Sequence, residues 1–138
     1  MTATSTAREA KRKDGEVISY PMAAVKIPKG ALVNINAAGF ATNATDAASE
    51  TFAGVAYETV DNSAGSAGDL AIRVQTTGTF VFIDGGGNGA ATDIGIDFHI
   101  VDNQTVTDAA TTNSLAAGTA VESISATSVR VRIDRYAS

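Results

Sequence analysis

From Val17 onward the chain is written in short runs of β-branched and aromatic residues, each closed by Gly, Pro, Asn or Asp. Runs this short leave no room for a long helix, and their internal alternation is that of strands. Val17-Ile18-Ser19-Tyr20 stops at Pro21, and Ala24-Val25-Lys26-Ile27 stops at Pro28. Residues 31–35 alternate and end in Asn36-Ala37-Ala38-Gly39. Residues 52–58 follow, with Gly54 expected at a bulge or a close backbone approach. Residues 70–75 place Leu70, Ile72 and Val74 on one face. Residues 79–83, 94–101, 118–124 and 129–133 complete a set of about nine strands. In the last, Val129, Val131 and Ile133 face inward while Arg130 and Arg132 face out. The expected fold is all-β, a small β-sandwich or barrel.

Composition supports that reading and limits the core. The 138 residues include 26 Ala, 17 Thr, 12 Val and 10 Ile, but only 3 Leu. The unbranched helix formers a bundle would need are scarce. Setting Ala aside leaves 35 larger apolar side chains, enough for one modest core. Burying each contributes about 1.5–3 kcal/mol against the entropy of ordering the chain. A domain this lean is expected to draw part of its stability from partners.

Several chemistries fall away. There is no Cys, so no disulfide, thiolate metal site or Cys nucleophile. A single His, His99, rules out a multi-histidine metal site. No apolar run approaches the roughly 18–20 residues of a transmembrane helix. Residues 1–6 lack the basic-then-apolar order of a secretory signal. The net charge of −5 argues against nucleic-acid binding by the body.

Charge divides the chain. Residues 1–13 hold Arg8, Lys11, Arg12 and Lys13 against Glu9, a net of +3, which leaves −8 for the rest. Residues 1–16 contain almost no large apolar side chain and are read as an arm ahead of a body at 17–138. The basic run is expected to contact protein, because the body is acidic and no stacking aromatics lie beside the run.

A repeat runs through the body. Gly30-Ala31-Leu32-Val33-Asn34-Ile35 aligns with Gly95-Ile96-Asp97-Phe98-His99-Ile100 at an offset of 65. Thr42-Asn43-Ala44 aligns with Thr107-Asp108-Ala109 at the same offset. Gly54-Val55-Ala56-Tyr57-Glu58 aligns with Gly118-Thr119-Ala120-Val121-Glu122 at 64, and Ile72-Arg73-Val74 with Val129-Arg130-Val131 after a shorter connection. A duplication would pack the halves as pseudo-equivalent sheets; similar small β motifs in an Ala/Thr-rich chain are the alternative.

Candidate reactive groups are sparse. Asp84-Gly85-Gly86-Gly87-Asn88-Gly89 is followed by Ala90-Ala91-Thr92, without the Lys that a phosphate-binding loop carries before its helix, and it occurs once rather than in the arrays of calcium-binding glycine repeats. It is expected to be a flexible hairpin loop. His99 shares a strand face with Asp97 and Val101, and no nucleophile can be assigned to it. Asp84, Asp93, Asp97 and Asp102 cluster loosely, without the aromatic platforms of a glycosidase site. No catalytic, metal or cofactor site is expected.

The series of motifs resembles the tailed-phage capsid cement, or head decoration, proteins, a family formerly catalogued as a domain of unknown function. The matching pieces are Gly30-Ala31-Leu32-Val33, Gly54-Val55-Ala56, Gly68-Asp69-Leu70, Gly78-Thr79-Phe80, Gly95-Ile96-Asp97-Phe98, Val106-Thr107, Gly118-Thr119-Ala120 and Val129-Arg130-Val131-Arg132-Ile133. Each piece is generic, and the specificity lies in their order. The Gly85–Gly89 loop departs from the pattern, and residues 1–16 lie outside it. The resemblance implies a non-enzymatic protein on the outer surface of a virion, made in the host cytoplasm. It implies binding to assembled major capsid protein, commonly as a homotrimer at a threefold or quasi-threefold position. Arg8, Lys11, Arg12, Lys13 and Tyr20 are the residues expected at the capsid contact, with no direct nucleic acid or membrane partner. Two rival readings are a carbohydrate-binding or adhesin-like β module and a small hydrolase built on His99.

Overall fold

The computed structural model describes residues 3, 5–7, 15–86 and 91–134. The first half of the body contains β1 (Val17–Pro21), β2 (Lys26–Ile27), β3 (Leu32–Ile35), β4 (Ala41–Asn43), β5 (Thr51–Ala56), β6 (Val60–Asp61) and β7 (Ala71–Gln75). The second contains β8 (Thr79–Asp84), a 3-10 turn (Ala91–Asp93), β9 (Asp97–Ile100), β10 (Thr105–Thr107), β11 (Ala116–Ser125) and β12 (Ser128–Arg132). No α-helix occurs among the described residues.

The two halves repeat one topology. The first sheet runs β1-β7-β5-β3-β4; the second runs β8-β12-β11-β9-β10 and closes into a barrel through β10 and β8. The equivalence extends to register. Ile35 pairs with Ala41 as Ile100 pairs with Val106. Val33 faces Gly54 and Asn34 faces Phe52, which leaves Ala53 as a bulge. Phe98 faces Gly118 and His99 faces Ala116, which leaves Ala117 as the same bulge. Ala56 pairs with Val74 as Ala120 pairs with Val131. Tyr20 pairs with Ile72 as Phe82 pairs with Val129. The sequence repeat is therefore a repeat of hydrogen-bond register.

Glycine is required at the bulge. A Cβ on Gly54 would collide with the carbonyl oxygen of Gln75, and one on Gly118 with that of Arg132. Both residues also hold positive φ, 153° and 158°. The bare Cα lets neighbouring strands cross closely where the small sheet bends.

The halves differ at the seam. In the second, β8 and β10 run parallel, with Ile83 opposite Thr105 and Asp84 opposite Val106. Ile83 N–H donates to Gln104 O at 3.0 Å and Gly85 N–H to Val106 O at 2.7 Å. In the first, Met22 bridges Ala41 in isolation, and Ala23 N–H donates to Ala41 O at 2.8 Å. The residue in register with Ile83 is Pro21, which has no N–H to donate.

Two buried clusters fill the body. Met22, Ile27, Val33, Ala56, Ile72 and Val74 fill the first half. Phe82, Phe98, Ile100, Val106, Val129 and Val131 fill the second, in a cluster that also takes in Leu32, Ala44, Phe52 and Val55 from the first. That shared cluster joins the halves. Leu32 N–H donates to Asn103 O at 2.8 Å, and Asn103 Nδ2 to Asn43 Oδ1 at 3.0 Å. Asn113 adds a backbone bond to the Asp46 carboxylate at 3.1 Å and a side-chain bond to Asp46 O at 2.8 Å.

Several expectations need correction. Residues 41–43, 60–61 and 105–107, outside the nine expected strands, are strands as well. They are too short to show alternation, and Thr and Asn in them resemble turn residues. Leu70 does not share the inward face of Ile72 and Val74; it lies just ahead of β7 and is exposed. The loop after β8 is not a hairpin, since β8 pairs with β12 and β10 and not with β9. Its residues 87–90 lie outside the described residues.

Candidate interaction surface

Of the five residues expected at a contact, Arg8, Lys11, Arg12 and Lys13 lie outside the described residues. Tyr20 is described. It sits half-buried on β1 and lines a cleft of about 200 Å³ with Ile35, Thr51, Phe52, Ala53, Thr76 and Ile133. The cleft lies between the halves and is smaller than the roughly 300–1,000 Å³ of a small-molecule site. Thr76 is also where the N-terminal segment is held. Its N–H donates to Glu16 O at 2.9 Å, and its hydroxyl donates to Gly15 O. The structure thus brings Tyr20 beside the point where the basic segment joins the body.

Three of the four carboxylates singled out in the sequence, Asp84, Asp97 and Asp102, hold local structure. Asp97 accepts the Thr119 hydroxyl at 2.9 Å. Asp102 accepts the N–H groups of Gln104 and Thr105, both at 2.9 Å, and so shapes the β9–β10 turn. Asp84 is buried and accepts Gly86 N–H at 2.9 Å. Among the described residues no group of His, Asp and Glu is placed to hold a metal ion.

His99 has a structural counterpart. In the repeat it occupies the position of Asn34, whose Nδ2 donates to Thr45 O at 3.0 Å and to Glu50 Oε1 at 2.9 Å. His99 Nδ1 lies 3.2 Å from Ala109 O, reaching across β10 in the same sense. Both side chains tie the β3-type strand to the segment after its partner.

Two ion pairs occupy equivalent places, and the sequence did not announce them. Arg73 forks onto Glu58, with Nε to Oε2 at 3.1 Å and Nη2 to Oε1 at 3.0 Å. Arg130 Nε reaches Glu122 Oε1 at 2.8 Å. The signal was present in the repeated Gly-x-Ala-x-Glu and Arg-Val motifs, whose residues meet only once the strands pair. Hydrogen bonds from the Arg73 side chain and backbone N–H, with its charge, hold the Glu58 carboxyl below its ordinary range. The same carboxylate raises Arg73.

The outer face of β8 is apolar. Val81 and Ile83 are exposed while Phe82 between them is buried. A run with apolar residues on both faces, Phe80-Val81-Phe82-Ile83, signals this in the sequence. Compared with known proteins, the chain matches no family model, no curated protein and no solved structure.

Proposed function

We propose that the chain is a structural head decoration protein of a tailed phage, which binds the outside of an assembled shell of major capsid protein and stabilises it. The observation that carries this reading is the division of charge about one joint. A segment of net +3 precedes a β body of opposite sign, and it joins that body at Thr76, beside the half-buried Tyr20. A basic strap on a rigid acidic body suits attachment to an extended, repeating surface. The motif series adds support, since its glycines include those that the doubled register requires, Gly54 and Gly118.

Such a protein is expected to act as a homotrimer matched to a local threefold of the shell. Three straps then bind together, and multivalency raises apparent affinity by about 10²–10⁴. The role is non-enzymatic.

The carbohydrate-binding alternative calls for exposed aromatic faces. Tyr57 is an exposed aromatic of the body, but the Arg73 guanidinium lies over its ring at 5.0 Å from the centroid. The experiment that tests the proposal is co-sedimentation of the full chain with assembled capsid shells. Saturable binding at a fixed copy number supports it, and a chain left in the supernatant at all concentrations contradicts it.

A further inference from the structure

We propose that copies of this chain associate head to tail, the turn ending in Asp69-Leu70 of one copy seating on the outer β8 face of the next. The proposal rests on the self-association in the reading above and names the surfaces that perform it.

The receiving face is built by register. Val81 and Ile83 are 46% and 43% exposed on β8. Ile83 stands opposite Thr105, and Val101 N–H donates to Thr105 O at 3.0 Å, so Val101, 41% exposed, extends the same face. Arg130 stands opposite Val81, and exposed Arg132 opposite Thr79, giving one side of the strip a cationic border. Arg130 is ion-paired with Glu122; Arg132 has no ion pair among the described residues.

The duplication acts as an internal control. The positions in register with Val81, Ile83 and Val101 are Ser19, Pro21 and Asn36. The fold therefore does not need apolar side chains there. Contiguous exposed apolar surface bordered by charge is the mark of an interaction site.

The inserting feature exists only on the other half. β5 and β7 are joined by residues 57–70, whereas β11 and β12 are joined by a tight hairpin at Ala126-Thr127. Leu70, 45% exposed, follows exposed Asp69, whose carboxylate accepts Ser66 N–H at 2.9 Å and so fixes the turn. Residues 57–70 contain Glu58, Asp61 and Asp69 and no Lys or Arg. Glu58 is committed to Arg73, and Asp61 stands opposite Lys26. Asp69 is thus the carboxylate that accompanies Leu70 into a contact. An apolar residue with an acidic neighbour faces an apolar strip with an arginine border.

The contact joins two different surfaces of the chain, and each copy offers one of each, so at a local threefold it passes from copy to copy around three members. A head-to-tail contact of this kind closes into a ring when its rotation allows.

The absence of Cys permits a direct test. A variant carrying both Leu70→Cys and Ile83→Cys is oxidised beside each single variant, with circular dichroism confirming that all three are folded. The double variant is expected to form disulfide-linked closed multimers, while the single variants stop at dimers. Adding Arg132→Glu should reduce the multimers, and Asp69→Arg with it should restore them. A double variant that yields no more multimer than the single ones overturns the contact. Shell binding is scored separately: no multimer from a chain that still co-sediments with shells removes this interface alone. Multimers from a chain that binds no shell remove the decoration reading and leave the interface.

Discussion

Pro21 stands in the first half where Ile83 stands in the second, and the exchange removes one rung from the seam between β1 and β4. Ile83 N–H donates to Gln104 O, while proline has no hydrogen to offer. The bonds that remain are Ala23 N–H to Ala41 O in the first half and its equivalent, Gly85 N–H to Val106 O, in the second. With fewer neighbouring bonds to break, the first seam is expected to open more readily. Native-state hydrogen exchange should show the Ala23 amide exchanging faster than that of Gly85. Equal protection would show that the proline does not weaken the seam.

The bulge glycines give a prediction with an internal comparison. Gly95 holds φ of 90° but has open space around the position of a Cβ, so Gly95→Ala carries only the left-handed strain of roughly 1–2 kcal/mol. Gly118→Ala adds a collision with the Arg132 carbonyl, and overpacking of this kind costs about 1–3 kcal/mol more. Urea denaturation should therefore rank Gly118→Ala well below Gly95→Ala in stability, and Gly54→Ala below Gly30→Ala. The same midpoint for both members of a pair would mean that the strands shift to absorb the methyl.

Acid acts on the exposed pair. The Arg73 side chain and N–H lower the Glu58 pKa from its ordinary 4.5, and the Ser63 hydroxyl and N–H lower Asp61 from 3.8. Each carboxyl binds its proton less tightly folded than unfolded. The resulting stability is present above the unfolded values and is lost as pH falls through the lower folded ones. An NMR titration should find Glu58 below its ordinary value, and Arg73→Gln should raise it while leaving Asp61 in place. A Glu58 titration unchanged by that substitution would show that the ion pair is not formed in solution.

The all-β class and the repeat were legible because alternation and spacing are local properties. Val129, Val131 and Ile133 are buried, as their alternation indicates, and Gly54 sits at the close approach expected of it. What escaped was set by partners distant in sequence. Nothing within Ala41–Asn43 or Thr105–Thr107 marks them as strands; each becomes one by pairing with the strand before it. Leu70 fits the alternation of its run but falls ahead of the first paired residue, Ala71, where a turn turns it outward. The Glu58–Arg73 pair spans 15 residues and depends on β5 and β7 lying side by side. Arg8, Lys11, Arg12 and Lys13 could be read as a run of charge, and they lie outside the described residues.

The basic segment should govern attachment more than folding. Deleting residues 1–14 removes Arg8, Lys11, Arg12 and Lys13 and leaves Gly15 and Glu16 bonded to Thr76. The truncated body is expected to keep its circular dichroism spectrum and lose most of its shell occupancy. Attachment of the full chain should weaken as screening shortens from about 8 Å at physiological salt to about 3 Å at 1 M. Equal occupancy for both chains at both salt concentrations would show that these charges are only solvated.

The most direct measurement is a cryo-electron microscopic reconstruction of phage heads assembled with this chain. β-Barrel density is expected on the outer surface of the capsid shell. The copies should be grouped about local threefold positions, with the N-terminal segment running onto the capsid protein. Heads that lack this density, or isolated copies touching no neighbour, would contradict the proposed function.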